Sequence, residues 1–232
     1  MELSSETNNL VAHPPLWSNL YYHRKRLREE IEEVVEKYLK PRCDVTLVDY
    51  GCGTKPYENT LEPFLSEYIG LDIVDRPEVD QVLSDDGTSA LADGTADAVL
   101  SSMVLEHVPD PELYLQECKR IMKPDGVLFL LTHGHMIYHP TPGDYWRWTS
   151  SGLEKKVNEN GFLIREKRGI MNVPSTAAQF LLDSLRPLAP KFMHGAINLI
   201  MQGVIGLMDS NMFGSNREKD SCVFFIVAKC KR

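Results

Sequence analysis

Apolar positions along this chain fall into two alternating rhythms. Short, nearly unbroken apolar runs at 45–50, 68–72, 96–102 and 127–132 have the length and composition of strands covered on both faces. A weaker run at 79–84 predicts a third strand in chain order, 162–164 opens a sixth, and 221–228 supplies a last one. Between them the spacing changes to that of helices. Ser18 is placed to cap a helix running to about Lys40, with Leu20, Leu27, Ile31, Val34, Val35 and Tyr38 on or near one face and Pro41 as its stop. A helix over 57–65 follows the first strand. Asp110 before Pro111 marks the start of another that runs to about Met122. Lys123-Pro124-Asp125-Gly126 reads as a turn. Thr149, Ser150 and Ser151 offer caps for a helix ending near Asn160, with Gly161 as its stop.

Strand–helix alternation of this kind predicts an α/β fold with a doubly wound parallel sheet. Residues 171–214 do not fit simple alternation. They are rich in Leu, Met, Ile and Phe and predict a helical apolar insertion ahead of the last strand. The expected organisation is an N-terminal arm and helix over 1–40, and one domain over 41–232 that contains the insertion.

Bulk numbers narrow the function classes. A length of 232 residues suits one large α/β domain. A net charge of −8 opposes nucleic acid unless a basic patch intervenes. The one basic run, His23-Arg24-Lys25-Arg26 with Arg28, is followed by Glu29, Glu30, Glu32 and Glu33, as on a solvated helix face. No nucleic-acid partner is expected. Five cysteines without a C-x-x-C pair argue against a disulfide framework or zinc site and fit a reducing cytoplasm. The first residues are polar and lack an apolar signal core.

The first strand runs into Gly51-Cys52-Gly53-Thr54-Lys55-Pro56. A dinucleotide loop wants a third glycine, which is absent here. Asp49 also stands two residues before the first glycine, where an acid would oppose a pyrophosphate but suit a ligand carrying positive charge. Asp72 ends the second strand, twenty-one residues after Gly51. An acid about 20 residues beyond such a loop is placed for ribose hydroxyls. A nicotinamide-dependent oxidoreductase is disfavoured by the same features.

Four segments carry a resemblance: VDYGCGT at 48–54, YIGLDI at 68–73, ADGTADAVLSSMVLEHVPDP at 92–111 and LYLQECKRIMKPDGVLFLLT at 113–132. In order and spacing they resemble class I S-adenosylmethionine-dependent methyltransferases, in the branch that includes the ubiquinone and menaquinone biosynthesis enzymes. The resemblance covers about 45–165. It implies a Rossmann-like, mostly parallel seven-stranded sheet with an antiparallel last strand, and S-adenosyl-L-methionine as cofactor. It further implies roles for single residues. Gly51 and Gly53 let the backbone approach the methionine end. Asp49 anchors the loop and the ammonium region, and Asp72 holds the ribose. Asp85 or Asp86 takes the adenine amino group, and Ser101 or Ser102 presents a backbone oxygen to the ammonium. One departure is that Ala90-Leu91 stands where the family usually has Pro-Phe, which loosens the adenine-side register.

Methyl transfer to oxygen benefits from a general base, and histidine has a suitable pKa. His133, His135 and His139 follow the fifth strand and His107 follows the fourth, all at the edge where ligands bind in this architecture. The catalytic candidates are His139, His107 and Asp144; His133, His135, Tyr145 and Arg147 are candidates for contacting substrate. For Asp144 and Arg147 the alternative is a structural corner in which the two pair with each other. No recognised metal motif is present, although His133, His135 and Asp144 stand near one another in sequence. The string from His139 to Thr149 resembles a bacterial subgroup some of whose members serve surface-glycan or natural-product pathways. That points to a small-molecule, glycan or lipid-linked acceptor. The segment 192–208 is too short and polar to span a bilayer, and reads either as a packed lid or homodimer face, or as an apolar platform for a greasy substrate or membrane-surface contact. A non-catalytic S-adenosylmethionine-binding protein on the same fold is the competing function.

Overall fold

In the computed structural model, which describes residues 11–40, 44–140, 143–210 and 216–231, the apolar runs pair into one sheet. Its strands among those residues are β1 (Thr46–Tyr50), β2 (Glu67–Asp72), β3 (Gln81–Val82), β4 (Ala96–Ser102), β5 (Met122–His133), β6 (Phe162–Ile170) and β7 (Val223–Cys230). Their spatial order is β3-β2-β1-β4-β5-β7-β6. Strands β1 to β5 run parallel, and β7 lies antiparallel between β5 and β6. This is the sheet implied by the resemblance. The helices are α1 (Tyr21–Leu39), α2 (Glu58–Leu61), α3 (Pro111–Ile121), α4 (Ser150–Glu159), α5 (Val173–Leu185) and α6 (His194–Met208).

Successive strand residues point to opposite faces, so each unbroken apolar run feeds two cores. Leu47, Leu100, Phe129, Leu131 and Phe225 face α1, α5 and α6. Val48, Val99, Leu128, Leu130 and Phe224 face α3 and α4. Between β1 and β4 the strand order reverses direction. Such a switch point opens a crevice at the carboxyl ends of the strands, and ligands of open α/β sheets bind there.

Several expected boundaries are corrected. Strand β5 begins at Met122 rather than 127, because Met122 pairs with Ala96 before the turn residues are reached. The register then shifts, so that 123–126 bulge opposite Asp97, pinned by a 2.7 Å bond from Lys123 Nζ to its carboxylate. The turn chemistry is real, and the strand absorbs it. Strand β3 is shorter than 79–84, β6 extends to Ile170, and the helix after the glycine loop is one turn of α2 followed by a 3₁₀ turn at Glu62–Phe64. Ser18 does not cap α1. Its hydroxyl accepts from Leu20 N at 3.3 Å, and the helix starts at Tyr21 with no side-chain cap from its N-cap residue. By contrast Asp110 caps α3, accepting from the backbone of Glu112 and Leu113, and Thr149 caps α4. Pro41, the arm before residue 11 and the 211–214 end of the insertion lie outside the described residues.

Removing the Phe129 ring, fully buried between β5 and α1, is expected to cost about 3–5 kcal/mol in urea unfolding of Phe129→Ala, since a cavity remains. Asp110→Ala is expected to cost about 1 kcal/mol through its lost cap. Equal losses at the two positions would contradict this division between core and cap.

Candidate active site

The glycine loop turns at the carboxyl end of β1. Gly51 sits at φ +92°, and a Cβ there would lie 2.5 Å from the Val104 side chain, so only glycine lets β4's outgoing chain press against the loop. Gly51 N and Cys52 N both donate to Leu71 O, which ties the loop to β2. Gly53, at φ +55°, is different: nothing stands within 4 Å of where its Cβ would be. Its backbone therefore borders open space, as a cradle for a ligand requires. Its N–H donates to Asp72 Oδ2 at 2.8 Å, and Asp72 Oδ1 accepts from Val74 N at 2.9 Å. The second-strand acid and the loop are thus one unit.

Asp49 is buried beneath this loop and accepts a 2.5 Å bond from the Tyr68 hydroxyl. Burial pushes its carboxyl up to about 7, against the opposing effects of that hydrogen bond and of Lys55. Asp85 and Asp86 lie exposed beyond β3, where Asp86 accepts from Thr88 N and Thr88 Oγ1. Ser101 is buried, its hydroxyl 2.8 Å from the Tyr114 hydroxyl, which also donates to Tyr50 O at 2.9 Å. Ser102 stands half-buried at the strand end, directly before Met103 at φ +59°. A non-glycine residue held in that region marks backbone shaped by its surroundings. These groups suit a cationic, phosphate-free nucleoside ligand: a buried acid of tunable charge, an acid at the second strand's end and an open glycine backbone.

The loop after β5 folds down onto the turn after β4. Tyr145 N and Trp146 N donate to Glu106 O, and Trp146 Nε1 donates to Val108 O at 2.8 Å. Arg147 and Asp144 form a two-pronged pair with bonds of 2.5 and 2.7 Å. The guanidinium also donates to the carbonyls of Met136, Ile137 and Trp146. That pairing holds the Asp144 carboxyl down at about 2. Asp144 also accepts from His139 N at 2.7 Å. The geometry is thus a corner that shapes the loop and sets His139, with the guanidinium's bonds spent within the chain. Thr141 and Pro142 lie outside the described residues.

The corner gathers histidines. The His107 ring lies 5.6 Å from that of His139 and 6.4 Å from that of His133, centroid to centroid. His107 Nδ1 contacts Gly143 O. A carbonyl only accepts, so Nδ1 is the donor in this contact. His133 is buried, with Nε2 3.2 Å from the fully buried Glu106 carboxylate, which also accepts from Thr132 Oγ1 at 2.8 Å. Burial pushes Glu106 up and, with help from Arg147, pushes His133 down to about 3. His135 points away, exposed and paired with Asp220 at 2.9 Å. Tyr145 is exposed. Among the described residues no group of three or more His, Cys, Asp or Glu is placed to hold a metal.

Sequence reasoning missed Glu106, whose role depends on a β5 residue twenty-six positions away, and Tyr68, whose hydroxyl is the partner of Asp49. It also missed His23 on α1, which is buried and held down to about 4, its Nδ1 3.8 Å from Cys222 Sγ. Pattern alone assigns His23 to a basic helix run. Its inward direction shows only in the packing of α1 on the sheet.

A family model described as a methyltransferase domain matches residues 21–166, starting at the first residue of α1. The mitochondrial ubiquinone biosynthesis O-methyltransferase of Bos taurus is 34% identical over 110 residues, covering 40% of this chain and 30% of that protein. The ubiquinone biosynthesis O-methyltransferase of Xanthomonas oryzae pv. oryzae is 30% identical over 112 residues, covering 41% of this chain and 47% of that protein. The chain spans less than half the length of these relatives. Among solved structures, the 1,6-didemethyltoxoflavin-N1-methyltransferase of Burkholderia thailandensis, bound to 1,6-didemethyltoxoflavin and S-adenosylhomocysteine, superposes with a TM-score of 0.56 at 13% identity, over 99% of this chain and 88% of that one. The likeness is one of fold. Because the family match takes in more than half of the chain and coincides with the glycine loop, the strand-end acid and the histidine corner, this protein belongs to the class I S-adenosylmethionine-dependent methyltransferases, the family that includes the ubiquinone biosynthesis O-methyltransferases.

Proposed function

We propose that this protein transfers a methyl group from S-adenosylmethionine to an oxygen of a small-molecule, glycan or lipid-linked acceptor, with His107 as general base. The observation that carries the reading is the contact of Val104 with Gly51, three residues before His107. It ties the chain segment that carries His107 to the donor loop. The O-methyltransferase relatives support an oxygen acceptor.

The cofactor supplies a methyl group on a sulfonium, so the protein's tasks are alignment and removal of the acceptor's proton. On the donor side the backbone of Gly51 and Gly53 would border the methionine end, with Asp49 and the carbonyl of Ser101 or Ser102 serving its ammonium. Asp72 would take ribose hydroxyls, and Asp85 or Asp86 the adenine amino group. On the acceptor side His107, its Nδ1 proton fixed by Gly143 O, offers Nε2 to an acceptor hydroxyl. His139, positioned by Asp144, is the second base candidate. His133 is too deeply buried and too hard to protonate to share that task, and with Glu106 it braces the corner. Tyr145 and His135 lie on the exposed rim, where they would meet the acceptor's outer parts. Among the described residues no helix is long and apolar enough to cross a membrane. We propose that a lipid-linked acceptor is met at a membrane surface through 192–208, with the protein in the cytoplasm.

Calorimetry with S-adenosylhomocysteine checks the donor side. Asp72→Ala is expected to weaken binding at least tenfold, about 1.4 kcal/mol; unchanged affinity would remove Asp72 from the site. Burial holds the Asp49 carboxyl at about 7, and a bound cation favours its ionised form. Affinity is therefore expected to rise with pH through about 7 and then level off, with proton release below that point. Asp49→Asn should flatten the profile, and a flat wild-type profile would refute the coupling. His107→Gln is expected to lower methyl transfer by about 10²–10⁴-fold while keeping S-adenosylhomocysteine affinity. Full activity in that variant would pass the base role to His139.

A further inference from the structure

We infer that the α5–α6 hairpin is a membrane-docking element whose outward apolar face and cationic turn seat the protein on an anionic bilayer. The inference deepens the membrane-presented acceptor proposed above and rests on it for its purpose, though not for its geometry.

Amphipathicity in this hairpin is incomplete: Ala178, Leu182 and Ile205 pack into the core, yet polar side chains are buried beside them and large apolar ones stay outside. On α6, Asn198, Gln202 and Asp209 are buried, at 3%, 4% and 3% exposure, while Ile200 is 67% exposed and Leu207 is exposed as well. On α5, Ser175, Thr176 and Gln179 are buried, whereas Leu181 and Leu185 face out. The turn between them carries Leu188 and Phe192, the latter 87% exposed. A surface helix of a globular protein normally does the opposite. The inward polar groups are in use. Gln202 Oε1 accepts from Tyr22 N at 2.7 Å and so caps α1 from 180 residues away. Its amide and that of Gln179 donate to Asn19 O, Asn198 donates to Trp17 O at 2.7 Å, and Asp209 accepts from the Tyr22 hydroxyl at 3.0 Å. Polar groups thus share the inner face with Ala178, Leu182 and Ile205, and Leu181, Leu185, Leu188, Phe192, Ile200 and Leu207 are left outside, the kind of exposed apolar surface that marks an interaction site.

Charge selects the occupant. Arg186 and Lys191 flank the turn, and among the described residues neither enters an ion pair. The hairpin's one acid before Asp209, Asp183, has both carboxylate oxygens 3.1 Å from the Gln179 amide. In a chain of net charge −8, an apolar turn flanked by Arg186 and Lys191 complements an anionic headgroup layer, whereas apposing two copies at that turn would bring like charges together. Trp17, exposed and tethered to α6 through Asn198, is the residue type favoured at a lipid–water boundary. At 15 residues α6 lies on a bilayer and does not span it. The hairpin also packs towards the histidine corner. Tyr22, gripped by Gln202, is followed by His23, whose ring packs beside Cys222 near the histidine corner.

Vesicle flotation of the full chain tests this, with S-adenosylhomocysteine calorimetry run alongside. Wild type is expected to float with phosphatidylglycerol–phosphatidylcholine vesicles, to float weakly with phosphatidylcholine alone, and to lose binding as salt rises. Phe192→Glu with Ile200→Glu should cut flotation at least tenfold. Arg186→Glu with Lys191→Glu should remove the phosphatidylglycerol preference. Both double variants should keep wild-type S-adenosylhomocysteine affinity and melting temperature. No flotation of wild type overturns the proposal. So does sedimentation velocity showing a wild-type dimer that Ile200→Glu converts to monomer without any lipid binding, which would give the face to a second copy. If vesicles bind but S-adenosylhomocysteine does not, docking stands and the methyl-transfer reading fails.

Discussion

The approach of Val104 to Gly51 is the contact on which the carboxyl edge of the sheet depends. A Cβ at Gly51 would fall 2.5 Å from that side chain, so the absence of one atom lets the chain leaving β4 pass directly over the loop leaving β1. Strand order makes the contact available, because β1 and β4 are neighbours at the point where the sheet reverses its direction of growth. Met103, in a left-handed conformation just before Val104, turns the chain into the 3₁₀ turn at Leu105–His107 that carries Glu106 and His107. The loop after β5 then docks on Glu106 O through Tyr145 N and Trp146 N. Donor loop, histidine turn and aromatic loop form a stack in which each layer is set by the one below.

Within that stack burial governs charge. Asp49, Glu106, His23 and His133 are all withdrawn from water, and each shift favours the uncharged form. Asp144 behaves in the opposite way because Arg147 lies against it, and the pair stays ionised as a structural clip. The result is a low-charge interior around the carboxyl edge of the sheet, where a carboxylate beside a cationic ligand would have most effect. His107 differs from the buried histidines in being only half-buried and in having its Nδ1 fixed by a backbone carbonyl.

The helical insertion follows a different rule from the rest of the fold. The sheet buries apolar side chains on both faces, whereas α5 and α6 turn amides, hydroxyls and a carboxylate inward to bind the chain ahead of α1. Unsatisfied backbone N–H groups at a helix start require partners, and here they come from a helix near the other end of the chain. Tying α1 down in this way also seats His23 against Cys222.

Much of this was legible in the residues themselves. Unbroken apolar runs, Asp110 before Pro111, Gly161 after α4 and the spacing of Asp49, Gly51, Gly53 and Asp72 act locally or at fixed offsets, so sequence determines the α/β class, the strand order implied by family likeness and the donor loop. Lys123–Gly126 misled because turn chemistry is also bulge chemistry, and only pairing with β4 distinguishes them. Ser18 misled because a cap was available locally while Gln202 supplied one from afar. The histidines were visible as a list but not as an arrangement. Which one is buried beside an acid, which is paired at the surface and which is fixed by a backbone carbonyl depends on contacts between β4, β5 and the loop from Gly143 to Trp148. The same holds for α6, whose apolar composition was plain but which buries Ile205 while leaving Leu199, Ile200 and Leu207 outside. Composition and period describe an element's own surface, whereas the direction that surface faces is decided by what the rest of the chain packs against it.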